Sequence, residues 1–215
     1  MSTEVLSPTT GEPVEVVARR NRLGLWLLII SDAAGTVSLL VSYAYLWSLN
    51  VNNAWAPTPG SANWATDWPF WAIWALMVLG TVLVWWGARG VAAGHRGRLV
   101  TGAALGGLIM LVAFIAQIMQ LSTFPFATSD GAYASATFWL ALSNCFHLSL
   151  AGLLVIAVMN RTRKGLISQA SPSHARFVAM WLTWLCVAAF LGALFTTVMQ
   201  ESPNKSPTTF GTFAE

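Results

Sequence analysis

Two ionisable side chains stand where apolar ones are expected. Asp32 sits inside residues 23–47 (LGLWLLIISDAAGTVSLLVSYAYLW), and His147 sits inside residues 133–159. A carboxylate at mid-membrane costs about 2.5–3.5 kcal/mol on insertion scales and more in simulation, so by default it faces protein or a water-filled cavity and marks a proton or ion path. The alternative is a protonated, hydrogen-bonded structural acid. At about 1.5 Å of helix per residue, Asp32 lies roughly 15 Å from Arg22, and His147 lies roughly 20 Å from Arg161. That is a difference in depth of about one turn, so the two can pair across a bundle. Ser143 and Asn144 precede His147 by four and three residues and share its face, a polar stripe on an otherwise apolar helix. Tyr43 follows Asp32 by 11 residues; three turns along the same face, it borders the same groove or anchors the membrane interface. Gln117 and Gln120 share one face of their own segment and read as interhelical hydrogen-bonding groups. A metal site needs several convergent ligands, and one embedded histidine, with His95 and His174 in loops, does not supply them. No phosphate-binding glycine loop, nucleophile elbow or cysteine-pair metal spacing is present in the sequence.

The segments that position these residues are membrane spans. With 56% hydrophobic and 9% charged residues over 215 positions, the chain lies far from the roughly 25% charge of soluble domains. Five apolar stretches, at about residues 23–47, 69–87, 99–121, 133–159 and 177–199, are each long enough to cross, or nearly cross, a hydrocarbon core of about 30 Å. The net charge of +3 comes from arginines at the edges of these stretches, so it reports topology rather than nucleic-acid binding. Arg19, Arg20 and Arg22, then Arg89, Arg96 and Arg98, then Arg161, Arg163 and Lys164 alternate with loops at 50–67 and 122–131 that carry no Lys or Arg. This pattern predicts an all-α bundle of five transmembrane helices with a cytoplasmic amino terminus and an extracytoplasmic carboxyl terminus. Residues 1–22 form a cytoplasmic tail, of which the first 18 read as disordered; residues 200–215 form an extracytoplasmic tail. The tail lacks the basic start and short apolar run of a cleavable signal, so the first span is expected to be a retained anchor. Cys145 and Cys186 fall inside spans and act as small hydrophobes. Trp68, Trp71, Trp85 and Trp86 mark the two interfaces of the second span. Gly102, Gly106 and Gly107 allow close helix approach. Ser31, Gly35, Ser38 and Ser42 form a small-residue stripe for packing against a partner helix or lipid, or within the bundle itself.

Trp26, then Ser31-Asp32, then Tyr43 resembles the first helix kept in short forms of subunit III of the haem-copper oxidases, where Trp, Ser-Glu and a Tyr eleven residues later recur. Tyr133-Ala134-Ser135, Phe138-Trp139 and Ser143-Asn144-Cys145-Phe146-His147 resemble that family's Tyr-Gly-Ser, aromatic pair and Phe-His-Gly-Leu-His run, with the same spacing from the tyrosine to the last histidine. Gln117 and Gln120 occupy its Gln-x-x-Glu, and Arg161-Thr162-Arg163-Lys164-Gly165 its basic stop. The family's Glu is Asp32 here, its first histidine is Asn144, and the Trp-His-Phe-x-Asp signature of its last span is absent, only Phe177 remaining.

The resemblance implies an accessory subunit that binds no redox cofactor itself, the haems and copper residing in partner chains. It implies packing against the catalytic subunit I, with subunit II nearby, in a plasma (inner) membrane. Phospholipid binding, support of proton uptake and protection of the catalytic subunit are the expected roles, with Asp32, His147, Asn144 and Tyr43 as the polar site. The accessory protein of nitric oxide reductases, or the corresponding subunit of a quinol oxidase, is the related alternative. An alternative of another class is a stand-alone proton-coupled transporter using Asp32 and His147; the odd number of spans and lack of an internal repeat count against it.

Overall fold

The computed structural model describes residues 6, 10–56 and 64–203. Most of the first eight residues, Pro57, Pro59 and Gly60 of the first loop, and residues 204–215 lie outside the described residues. The chain forms five α-helices in succession: α1 (Val14–Leu49), α2 (Asp67–Ala92), α3 (Arg96–Ser122), α4 (Ala132–Arg163) and α5 (Ser173–Val198). All five are long and apolar enough to cross a membrane, and no strand occurs among the described residues. The chain is thus a multi-pass helical membrane protein.

Most helices overrun the apolar stretches at their arginine-bearing ends, because hydropathy marks the span while local stereochemistry ends the helix. At two of these ends the stop is a glycine. Gly94 (φ 86°) and Gly165 (φ 75°) adopt the left-handed conformation. His95 N–H donates to Gly90 O at 2.9 Å and Leu166 N–H to Arg161 O at 3.0 Å, the six-to-one bond that closes a helix C-terminus around such a glycine. The largest departure from the sequence expectation is at the amino end. Helix α1 begins at Val14, within the stretch expected to be a disordered tail, and runs for 36 residues, about 54 Å. Arg20 grips Glu12 with both guanidinium nitrogens, at 3.1 and 2.7 Å, and braces the start of the helix.

Helices α2 and α3 form the tightest pair, because glycines remove side chains from their seam. A Cβ on Gly102 would lie 2.5 Å from the Leu83 carbonyl oxygen, and one on Gly106 would lie 2.7 Å from that of Gly80. Gly107 instead faces α4, where a Cβ would lie 2.9 Å from the Val155 side chain. The side chain of Arg96, at the start of α3, donates to the Thr162 and Arg163 carbonyls at the end of α4, placing a cation at the negative end of that helix dipole. At this basic end the interior is aliphatic, with Leu99, Ala103, Val155 and Leu182 buried.

The opposite end is closed by aromatic side chains. Tyr43, Trp55, Tyr133 and Phe195 meet edge to face at centroid distances of 5.0–6.5 Å. Tyr43 Oη donates to Met199 O at 3.2 Å, Trp47 Nε1 to Glu201 O at 2.8 Å and Trp55 Nε1 to Gln200 O at 2.6 Å, so the segment after α5 is strapped onto α1 and the first loop. Helix α1 rests chiefly on α4 and α5. Only Val17, Thr36, Leu40 and Tyr43 of its 36 residues are fully buried, which leaves it the least embedded of the five spans.

Candidate functional site

Asp32 projects from this peripheral helix into the seam between α4 and α5. His147 Nε2 lies 3.0 Å from Asp32 Oδ1, joining residues 115 positions apart. Trp184 Nε1 donates to Asp32 Oδ2 at 2.7 Å, so both carboxyl oxygens are engaged, one from α4 and one from α5. The pair is asymmetric in exposure: the His147 side chain is 6% accessible and that of Asp32 22%, so the carboxyl is the member open to its surroundings. An imidazole and a carboxyl are held at hydrogen-bond distance, and an indole N–H fixes the second carboxyl oxygen. Such an array can accept, hold and release a proton without rearranging its heavy atoms.

A second polar cluster begins one turn along α4. Asn144 Nδ2 donates to Gln117 Oε1 at 2.7 Å, and Gln117 Nε2 donates to Gln120 Oε1 at 2.9 Å, tying α3 to α4 through three amides. Asn144 Oδ1 and Gln120 Nε2 are left without partners. Both glutamines are buried. Between the two clusters lies a cavity that offers about 30 Å³ to the centre of a water molecule, lined by Thr36, Gln117, Ser143, Asn144, His147 and Thr196 among apolar residues that include Phe70 and Leu140.

The expected site residues thus separate into three groups. Asp32 with His147, and Asn144 with Gln117 and Gln120, come together as two adjoining clusters. Tyr43 does not join them, because three turns carry it into the aromatic layer, where it is buried and bonded to Met199. Ser31, Gly35, Ser38 and Ser42 point away from the bundle. A Cβ on Gly35 would meet nothing within 4 Å, and Ser38 and Ser42 return their hydroxyls to carbonyls of their own helix at 2.8 Å. Packing inside the bundle is therefore not the role of this stripe.

Sequence reasoning missed Trp184. Its signal was its depth: eight residues past Arg176, it is about 12 Å in, well inside the core rather than at an interface. An indole N–H there needs an acceptor. The same logic accounts for Trp85, expected at an interface, which donates to Thr183 Oγ1 at 2.9 Å and so links α2 to α5. Cys145 and Cys186 are both free thiols; Cys186 Sγ lies 3.2 Å from Thr81 Oγ1.

A third feature lies at the basic end, between α1, α4 and α5. A pocket of about 330 Å³ is walled by Leu25, Leu28, Leu154 and Phe177 and headed by Asn21, Arg161 and His174. Arg161 Nε and Trp181 Nε1, on two of its lining residues, are buried donors with no partner. Among the described residues no three His, Cys, Asp or Glu side chains converge in a way that would hold a metal ion. Compared with protein-family models and with curated proteins, the chain matches neither.

Proposed function

We propose that this chain is an accessory subunit of a respiratory haem-copper terminal oxidase, a non-redox partner of the catalytic subunit that steadies it, binds lipid and holds protons near its uptake path. The observation that carries the proposal is the meeting of Asp32 and His147 at 3.0 Å. These positions correspond to the buried acid and the last histidine in the first and fourth spans of subunit III of that family, with Asp in place of its Glu, and nothing in their sequence separation requires them to touch. A chain that places an acid and a histidine together in the membrane interior, at an insertion cost of several kcal/mol, uses them for proton chemistry or for assembly.

The topology follows from charge. Arg19, Arg20, Arg22, Arg96, Arg98, Arg161, Arg163 and Arg176 all gather at one end of the bundle, which is the cytoplasmic end by the positive-inside rule, in a plasma or inner membrane. The amino terminus is then cytoplasmic and the carboxyl terminus extracytoplasmic. Lipid binding is supported by the pocket between α1, α4 and α5. Two of its lining residues carry unmatched buried donors, Arg161 Nε and Trp181 Nε1, which suits the phosphate oxygens of a phospholipid, and its walls suit acyl chain. The outward stripe of Ser31, Gly35, Ser38 and Ser42 suits close approach of a helix of the catalytic subunit.

Affinity purification of the chain in mild detergent, with a reduced-minus-oxidised visible spectrum and mass spectrometry of what accompanies it, tests the proposal. Haem bands with a large multi-span partner rich in histidine support it, and the haem type and partner separate an oxidase from a nitric oxide reductase. A colourless, homomeric preparation overturns it and leaves proton-coupled transport through Asp32 and His147 as the reading to pursue.

A further inference from the structure

Polar groups inside the bundle are distributed unevenly about the Asp32–His147 pair. Toward the basic end, the neighbouring interior positions are apolar, among them Ile29 on α1 and Leu182 on α5, and Leu25, Leu154 and Val178 there also wall the pocket headed by Asn21, Arg161 and His174. Toward the aromatic end, polar groups continue. Thr36 lies one turn beyond Asp32, Asn144 one turn from His147, and Gln117 and Thr196 face the same cavity from α3 and α5. That cavity gives about 30 Å³ to water centres, and about 10–15 Å³ of that measure accommodates one water molecule. Two therefore fit.

The unmet hydrogen-bonding capacity along this strip is of both signs. Asn144 Oδ1 is an acceptor without a donor, and Gln120 Nε2, one amide further along the Gln117 chain, is a donor without an acceptor. Of these two residues Asn144 lines the cavity, and a water molecule there can donate to its Oδ1. Thr36, Gln117, Ser143, His147 and Thr196 supply further polar lining, and several polar partners are what retain a buried water. We infer that this cavity is a built hydration site beside the Asp32–His147 pair, holding about two water molecules against Asn144, Gln117 and His147.

The hydration site stands on the geometry alone; its use in proton exchange rests on the proton-holding role proposed above. In that use a protonated water gives one proton to the pair, converting neutral His147 beside ionised Asp32 into imidazolium beside carboxylate, and neutral water remains. Release is the reverse. No other titratable side chain lines the cavity; α5 presents Thr196 to it and the Trp184 N–H to Asp32. Tyr43 and Tyr133 are the next titratable groups outward, in the aromatic layer.

Hydroxyl-radical footprinting by X-ray pulses, read by mass spectrometry, tests this on the chain purified with whatever partners accompany it. Radicals born from bound water oxidise the side chains that touch it. The expected result is oxidation at His147, Phe70 and Leu140, all lining the cavity, while Met77, intrinsically more reactive but fully buried, stays unmodified. In Asn144→Leu, which fills the cavity and removes its orphan acceptor, oxidation at those three positions should fall at least several-fold. If His147, Phe70 and Leu140 are as silent as Met77 in the unsubstituted protein, the hydration site does not exist. Oxidation at those three positions that is unchanged in Asn144→Leu likewise overturns the inference. Both outcomes are read whether or not haem copurifies, so failure of this inference is distinguishable from failure of the oxidase assignment.

Discussion

Replacing Asp32 by alanine removes the acceptor of two contacts at once, the 3.0 Å approach of His147 Nε2 and the 2.7 Å bond from Trp184 Nε1. In a soluble protein, each buried donor left unmatched costs about 1–3 kcal/mol. Within membrane bundles, measured polar couplings are smaller, about 0.6 kcal/mol on average and about 1.7 at most, because the unfolded chain in lipid also finds partners. Two contacts therefore place the destabilisation of Asp32→Ala at about 1–3 kcal/mol. Asp32→Asn preserves shape and both contacts: its carbonyl accepts from Trp184, and its amide donates to His147 Nε2 once the imidazole proton moves to Nδ1. Its loss should stay within about 1 kcal/mol. The effect should concentrate on α1, which has few buried residues other than those at this level and in the aromatic layer. Denaturant titration in mixed micelles, followed by tryptophan fluorescence, measures it, since the chain holds 12 tryptophans and Trp184 changes its environment directly. A cycle with Trp184→Phe adds a sharper criterion, because side chains in contact should couple by about 0.5 kcal/mol or more. Equal stability of the alanine and asparagine variants, or strict additivity of Asp32→Ala with Trp184→Phe, refutes the claim that this array anchors α1.

Other expectations follow from local geometry. Gly102→Ala sets a Cβ 2.5 Å from the Leu83 carbonyl oxygen, so α2 and α3 must separate at a cost of about 1–3 kcal/mol, whereas Gly152→Ala meets nothing within 4 Å and should be neutral or slightly stabilising; thermal unfolding of the two side by side checks this. The Arg20 guanidinium bonded to Glu12 lowers the carboxyl's pKa below its ordinary value. A carboxyl depressed in the folded state stabilises above its unfolded pKa, and the gain is lost as pH falls through the folded value. Amide protection over residues 14–18, corrected for intrinsic exchange, should therefore fall on acidification below the ordinary carboxylate range, and Glu12→Gln should give the same loss at neutral pH with no further pH dependence.

The amino-acid sequence by itself determined the class of this protein, its five spans and the level of each polar residue in the membrane. A hydrocarbon core selects for long apolar runs, helix rise converts residue number into depth, and arginine positions mark which ends lie together. That is why Asp32 and His147 were legible as possible partners before any contact was seen. Hydropathy fails at helix ends, where Gly94, Gly165 and the Glu12–Arg20 pair decide termination and the start of α1 lies outside the apolar run. Azimuth was decided only by the tertiary structure. A span apolar on nearly every side has little periodicity to show which face is inward, so the stripe of Ser31, Gly35, Ser38 and Ser42 allowed inward and outward packing equally, and packing turned it outward. Likewise Tyr43 shares a sequence period with Asp32, yet three turns of helix, about 16 Å, put it in a different layer. Trp184 shows the limit most clearly: one of many tryptophans in sequence, it becomes the second partner of the Asp32 carboxyl only because α5 packs beside α1 at that depth and rotation.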